Sequence, residues 1–270
     1  MFKTGLQKEM MFFCRSFRIW GVVIAAFGFA ILDPLMMKAL DSLTASMSEL
    51  DPTLAGLEFS DMMNMSQMGV AGAMGDLTST MLLIMMLVIM YAAGGELKKR
   101  SMIIPQNAGL TPQLYLLPKF MLYPIFGALL TFIGLLCSWL FSFVLYSEVN
   151  VSFSGMLLAG LLAAVLQLFM MTVYLTLGLC TAKAGLSVAV VYGGNVLLSA
   201  LFTSLGADKF HPFTLLSQAQ DIVMGEEIDQ ANFWGSIAVT LLLVALCYLV
   251  TLFVISAKRI DNRGAEEINL

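Results

Sequence analysis

The sequence predicts an all-α polytopic membrane protein, with six transmembrane helices behind an N-terminal amphipathic interfacial helix and both ends in the cytoplasm. Three observations predict it. Of 270 residues, 59% are hydrophobic and only 12% charged, about half the charged fraction of a soluble domain. Apolar stretches near the ~20 residues that cross a hydrocarbon core of about 30 Å as helix recur along the whole length. Of the 14 lysines and arginines, all but Lys38 and Lys209 fall on one side of those stretches.

The first element is residues 1–18. At helical spacing Phe2, Leu6, Met10, Phe13 and Phe17 share one face, and Lys3, Lys8, Arg15 and Arg18 share the other. Such a helix lies in the membrane interface, its cations at anionic headgroups, before the chain turns inward at Trp20. The spans then run roughly Ile19–Met37, Leu77–Ala93, Met121–Tyr146, Met156–Cys180, Leu186–Leu205 and Trp234–Ala257. Lipid offers no partner to open strand edges, and no run alternates as a barrel strand does, so all are expected as helices. A cleavable signal peptide is the competing reading of the first span, with Ala26–Ala30 as its small-residue site. The long basic region before it and the even number of crossings favour a retained helix.

Orientation follows from the cations. Those before the first span, Lys98, Lys99, Arg100 and Lys119 after the second, Lys183 after the fourth, and Lys258, Arg259 and Arg263 after the last mark the cytoplasmic side. The opposite loops are acidic. The first, residues 38–76, is long enough to predict short surface helices, with Leu50, Leu54, Leu57, Met62, Met65 and Met68 as their apolar side. In residues 206–233, Pro212 starts a helical turn, Phe213, Leu216, Ile222 and Val223 give it an apolar side, and Gly225 stops it. The whole chain, 1–270, reads as a single membrane domain.

Several chemistries are disfavoured. An ATP-binding loop needs Gly-Lys at its end to hold phosphates, and that dipeptide is absent. The single histidine, His211, stands beside Pro212 with no serine elbow to serve. Four cysteines, Cys14, Cys137, Cys180 and Cys247, show neither paired nor zinc-type spacing. Enzymatic catalysis and a bound metal are therefore not expected. The Met63-Asn64-Met65-Ser66-Gln67-Met68 run could hold Cu(I), but methionine recurs throughout the chain, and packing is the preferred reading.

Polar groups inside the spans are few. Asp33 precedes Pro34 in the outer third of the first span and is either a polar point on a translocation route or an acid reaching the outer headgroups. Gln167 and Asn195 are central in the fourth and fifth, as bonds between helices or as lining of a substrate path. Small residues at fourfold spacing, Gly155/Ala159/Ala163 and Gly185/Ala189/Gly193, permit close helix approach.

The inner loop, residues 94–118, runs Gly94-Gly95-Glu96-Leu97-Lys98-Lys99-Arg100-Ser101 and on through Pro105, Asn107-Ala108-Gly109 and Thr111-Pro112 to Pro118-Lys119. A glutamate opening a short basic helix suits its positive terminus. With the N-terminal amphipathic helix, the six crossings, the Pro212-Phe213 pair before the last span and the basic exit Lys258-Arg259-Ile260, this layout resembles the type 2 permeases of ATP-binding-cassette exporters. The likeness covers essentially the full chain but rests on layout. Ser101-Met102 replaces the family's Gly-Thr, and Pro118 stands where glycine precedes lysine.

The resemblance implies a permease in a bacterial plasma membrane, paired with a second copy or a related permease and with two copies of a separate ATPase that binds ATP and magnesium. Glu96, Lys98, Lys99, Arg100 and Ser101 would form the coupling helix, and Asp33, Gln167 and Asn195 would mark the route. The cargo would be a hydrophobic or amphipathic peptide, lipid or drug. No cofactor on this chain and no nucleic acid is implied. An ion-coupled transporter or channel, and a non-transporting assembly factor, are the alternatives.

Overall fold

The computed structural model describes residues 2–50, 65–98, 111–146, 149, 151–204, 209–226 and 229–267, the last ten of them as backbone alone. The elements are α1 (Phe2–Arg15), α2 (Phe17–Leu50), α3 (Met65–Thr78), α4 (Thr80–Val88), a π-helical turn (Tyr91–Gly95), α5 (Glu96–Lys98), α6 (Pro112–Leu145), α7 (Phe153–Thr181), α8 (Ala184–Ser204), α9 (Thr214–Met224) and α10 (Gln230–Glu267). Six helical stretches are long and apolar enough to cross a membrane: Phe17–Leu43, Met65–Val88, Pro112–Leu145, Phe153–Thr181, Ala184–Phe202 and Gln230–Ala257. The chain has the build of a multi-pass membrane protein.

The fourth span, α7, is the centre. Ala159, Leu162, Ala163, Met171, Tyr174 and Leu175 are wholly buried along it, and it packs against α6, α8, α9, α10 and the π turn. Without a hydrophobic drive between helices in lipid, such contacts depend on close fit and on polar bonds. Both occur. On α6 the bare backbone at Gly127 and Gly134 receives Met85 and Leu77 of the second span. Between α7 and α10, Thr251 Oγ1 donates to Thr176 Oγ1 at 3.2 Å. The fifth and sixth spans have mostly exposed apolar surfaces, with Leu197, Leu242 and Phe253 among the barest side chains.

The first two spans depart from the predicted layout. The second begins by Met65, not Leu77, so Met65 and Met68 belong to a spanning helix and not to a surface helix. Leu54, Leu57, Met62, Met63 and Asn64 lie outside the described residues, and α2 carries on to Leu50. The physical reason is close packing of small residues that read as loop. A methyl group on Gly69 would sit 2.9 Å from Pro34 Cα, and Gly72 faces Asp33. Glycine here gains more from helix contact than its poor helix propensity costs. Asp76, expected in an outer loop, therefore stands mid-span, about 17 Å along the helix from Met65.

The expectation for α9 is met in part: the helix starts at Thr214, just after Pro212, and of the expected apolar side Ile222 and Val223 are buried while Phe213 and Leu216 are half-buried. Gly225 ends α9 in the left-handed conformation, φ 82°, and its N–H caps the helix at Asp221 and Ile222. Leu215, Ala219, Ile222 and Val223 form the buried side. Of the small-residue rows, Ala159 and Ala163 are packed, whereas Gly185 and Gly193 meet nothing within 4 Å.

Candidate functional site

Two rows of side chains at fourfold spacing meet at the end of the bundle that carries α1. On α6, Thr111 caps the helix by accepting from Leu114 N–H, with Pro112 in the first turn, where its missing donor costs nothing. Tyr115, Lys119 and Tyr123 then share one face. On α1 the facing row is Gly5, Glu9 and Phe13. Gly5 lies against Pro118 and the Leu114 carbonyl, which Pro118 leaves without its helical donor. Phe13 packs edge-on to Phe126 and Tyr123 at ring separations of 4.6 and 5.7 Å. Between these contacts lies a set of charges.

Lys119 is wholly buried, and its Nζ is 3.2 Å from Glu9 Oε1 and 3.0 Å from Glu96 Oε2. Tyr123 OH donates to Glu9 Oε2 at 2.9 Å, and Tyr115 OH to Glu96 Oε2 at 3.2 Å. Lys8, largely exposed, closes the set from outside at 3.6 Å from Glu96 and 3.8 Å from Glu9. The Lys119 ammonium also lies 5.0 Å from the centre of the Tyr115 ring. Two carboxylates and two ammoniums sum to zero, which lets a cluster this buried persist.

Glu96 reaches Lys119 because of how the second span ends. After Val88 the helix widens into a π turn, and Gly94 lies against α7, where an added Cβ would fall 2.6 Å from the Gly178 carbonyl oxygen. This contact permits only glycine and delivers Glu96 at the start of α5. One lysine on the third span thus joins the N-terminal helix to the end of the second span.

Of the residues expected to form the coupling helix, Glu96 is buried in this cluster and so is not a presented contact residue. Lys98 is helical in backbone, its side chain outside the description, and Lys99, Arg100 and Ser101 lie outside the described residues. Lys3, Arg15 and Arg18 are exposed, while Lys8 joins the cluster. On α1 Phe13 is buried but Met10 is exposed, as is Phe17 at the start of α2, and the packed side of α1 carries Gly5 and Glu9. Glu9 was not singled out from sequence. The available signal was an acid on an otherwise basic helix, four residues from both Gly5 and Phe13.

The three route candidates do not converge. Gln167 is wholly buried against the second span, with Nε2 3.8 Å from Met85 Sδ. Asp33 sits against Gly72, one helical turn from Asp76. Asn195 lines a cavity of about 360 Å³ between the second, fourth and fifth spans and α9, together with Asp76, Ser79 and Ser199. Leu166, Val196, Phe213 and Leu216 complete its walls. The spans are therefore less bare of charge than Asp33 alone suggests. His211 is stacked on Phe202 at 4.3 Å beside this cavity wall.

Comparison of the chain with protein-family models, with curated proteins and with solved structures finds no match. What the fold defines is the class: a helical, multi-pass membrane protein with a buried ion cluster at one end and a polar-lined cavity between its spans.

Proposed function

We propose that the chain is the membrane permease of an ATP-driven exporter of the ATP-binding-cassette type, working with a separate ATPase that supplies the ATP and magnesium sites. The observation that carries this reading is the Glu9–Lys119–Glu96 cluster. A permease that binds no nucleotide must receive work through a cytosolic loop, and that loop must be tied stiffly to the spans it moves. Here the start of the expected coupling segment is held by one ion pair, Glu96 to Lys119 of the third span, and through a second pair, Lys119 to Glu9, to α1. A push on residues 98–101 then shifts three elements together, a rigid-body mode of changing access. Twelve cations on one side place this end in the cytoplasm. A second permease copy, membrane lipid and a hydrophobic or amphipathic cargo complete the reading.

Glu96, being buried, carries force, while Lys98, Lys99 and Arg100 make the contact. The test separates the two roles. Reversal of Lys99 and Arg100 to glutamate is expected to abolish co-purification with the partner ATPase. Glu96→Gln is expected to retain the partner but lose substrate-stimulated ATP hydrolysis in the reconstituted pair. Full stimulation with the charge reversals in place would refute the assignment.

A second reading is favoured by one observation. Asp33 lies against Gly72, one turn from Asp76, which puts two carboxylates near each other within the spans, the kind of group an ion-coupled transporter uses. It predicts transport by liposomes holding this chain alone under an ion gradient, abolished by Asp76→Asn.

A further inference from the structure

The cavity beside Asp76 has a composition that selects a ligand class. Its volume of about 360 Å³ is at the lower end for small-molecule sites. One wall is ionic: Asp76 accepts from Thr80 Oγ1 at 3.4 Å, and Asp33 lies just behind it against Gly72, one helical turn from Asp76. Ser79, Asn195 and Ser199 are neutral, and among the described residues no lysine or arginine lines the cavity. The remaining walls are aliphatic and aromatic. A carboxylate in mid-span demands a counter-charge, and an apolar chamber demands an apolar body.

A bare metal ion satisfies only the first demand. Divalent ions take six or more oxygen ligands, and among the described residues no group of three His, Cys, Asp or Glu is placed to hold one. We propose that this cavity binds a small organic cation, a primary amine or quaternary ammonium compound with an aromatic or branched apolar body, with Asp76 as its counter-charge and Leu166, Val196, Phe213 and Leu216 around the body. All the described lining residues come from one chain. The inference goes beyond the exporter reading, since such a ligand can be cargo or regulator.

The test uses the full chain in lipid nanodiscs without any ATPase, so its outcome is independent of that reading. Equilibrium dialysis against radiolabelled benzyltrimethylammonium is expected to show one saturable site per chain. Neopentylbenzene, with carbon in place of the ammonium nitrogen, is expected to compete at least tenfold less well. Asp76→Asn is expected to weaken binding at least tenfold. Leu216→Trp, which fills the cavity from α9 and leaves the carboxylate in place, is expected to remove it. If Asp76→Asn does not fold, Leu216→Trp and the neutral competitor decide. Failure of the wild-type chain to bind saturably, equal competition by the neutral compound, undiminished binding to Leu216→Trp, or displacement by sodium as effective as by the unlabelled cation would each overturn the proposal.

Discussion

Replacing Lys119 by methionine keeps the length of the side chain and removes its charge, so the variant isolates the electrostatic role of the buried cluster. Glu9 and Glu96 are left with side chains 5% and 7% exposed and without the ammonium that stood 3.2 and 3.0 Å away. Breaking a buried ion pair from one side costs about 3–5 kcal/mol, because the abandoned charge stays desolvated. Two compensations remain. Both tyrosine hydroxyls still donate, and Lys8 can close in from 3.6 and 3.8 Å, although at 59% exposure its charge is screened by water. The expected loss is therefore at the lower end, about 3 kcal/mol. Unfolding free energy measured by steric trapping in bilayers gives this value directly. The triple variant Glu9→Gln, Lys119→Met, Glu96→Gln abandons no charge and is expected within about 1 kcal/mol of wild type. A single variant within about 0.5 kcal/mol of wild type, the range of ordinary surface changes, or a triple variant as damaged as the single one, would refute the electrostatic account.

Gly94→Ala places a methyl 2.6 Å from the Gly178 carbonyl; overpacking of about 1–3 kcal/mol is expected, with Glu96 pushed off Lys119, readable as faster hydrogen exchange in α1. Tyr146→Phe removes the hydroxyl that donates to Pro34 O at 3.2 Å and is expected to cost about 1 kcal/mol, while Lys38, 5.2 Å from the ring centre, stays in place. On α9, burial and then the neighbouring Glu226 hold the Asp221 carboxyl above the usual carboxylate range. Its charged form is therefore penalised in the folded state. That penalty is full above the raised value and vanishes as pH falls below the ordinary one. Asp221→Asn is accordingly expected to raise the thermal midpoint at neutral pH and to leave it unchanged near pH ~3, below the ordinary aspartate range; the same gain at both pH values would refute this cause.

Hydropathy made the number of spans legible, because an uncharged run near 20 residues has few other uses. The run's start was less so at the second span, where Gly69, Gly72 and Gly75 carry little hydropathy and Asp76 reads as solvent-exposed. The place of Gly69 and Gly72 in the helix follows from α2 lying against them at Pro34 and Asp33, a tertiary fact that no window over the second span contains. The end of α9 was legible since Gly225 needs no partner to turn the chain. The ion cluster was half legible. Lys119 and Glu96 drew notice as loop charges, but the pairing with Glu9 depends on α1 running beside α6 in matching register, and an acid among cations reads first as surface. The cavity was legible only at Asn195, since Asp76 comes from a helix whose start the sequence misplaced and Ser79 and Ser199 read as ordinary hydroxyls within spans.

Glu9 and Lys119 are separated by 110 positions, from 9 to 119, so synthesis makes the carboxylate long before its ammonium. Until the third span emerges, α1 has no berth, since Lys119, Tyr123 and Phe126, which receive Glu9 and Phe13, all lie on that span. Docking of the N-terminal helix is thus a late event that reports completion of the first half of the molecule. Nascent chains arrested before Pro112 should leave Glu9 open to carbodiimide labelling, and those arrested well beyond Leu145 should shield it.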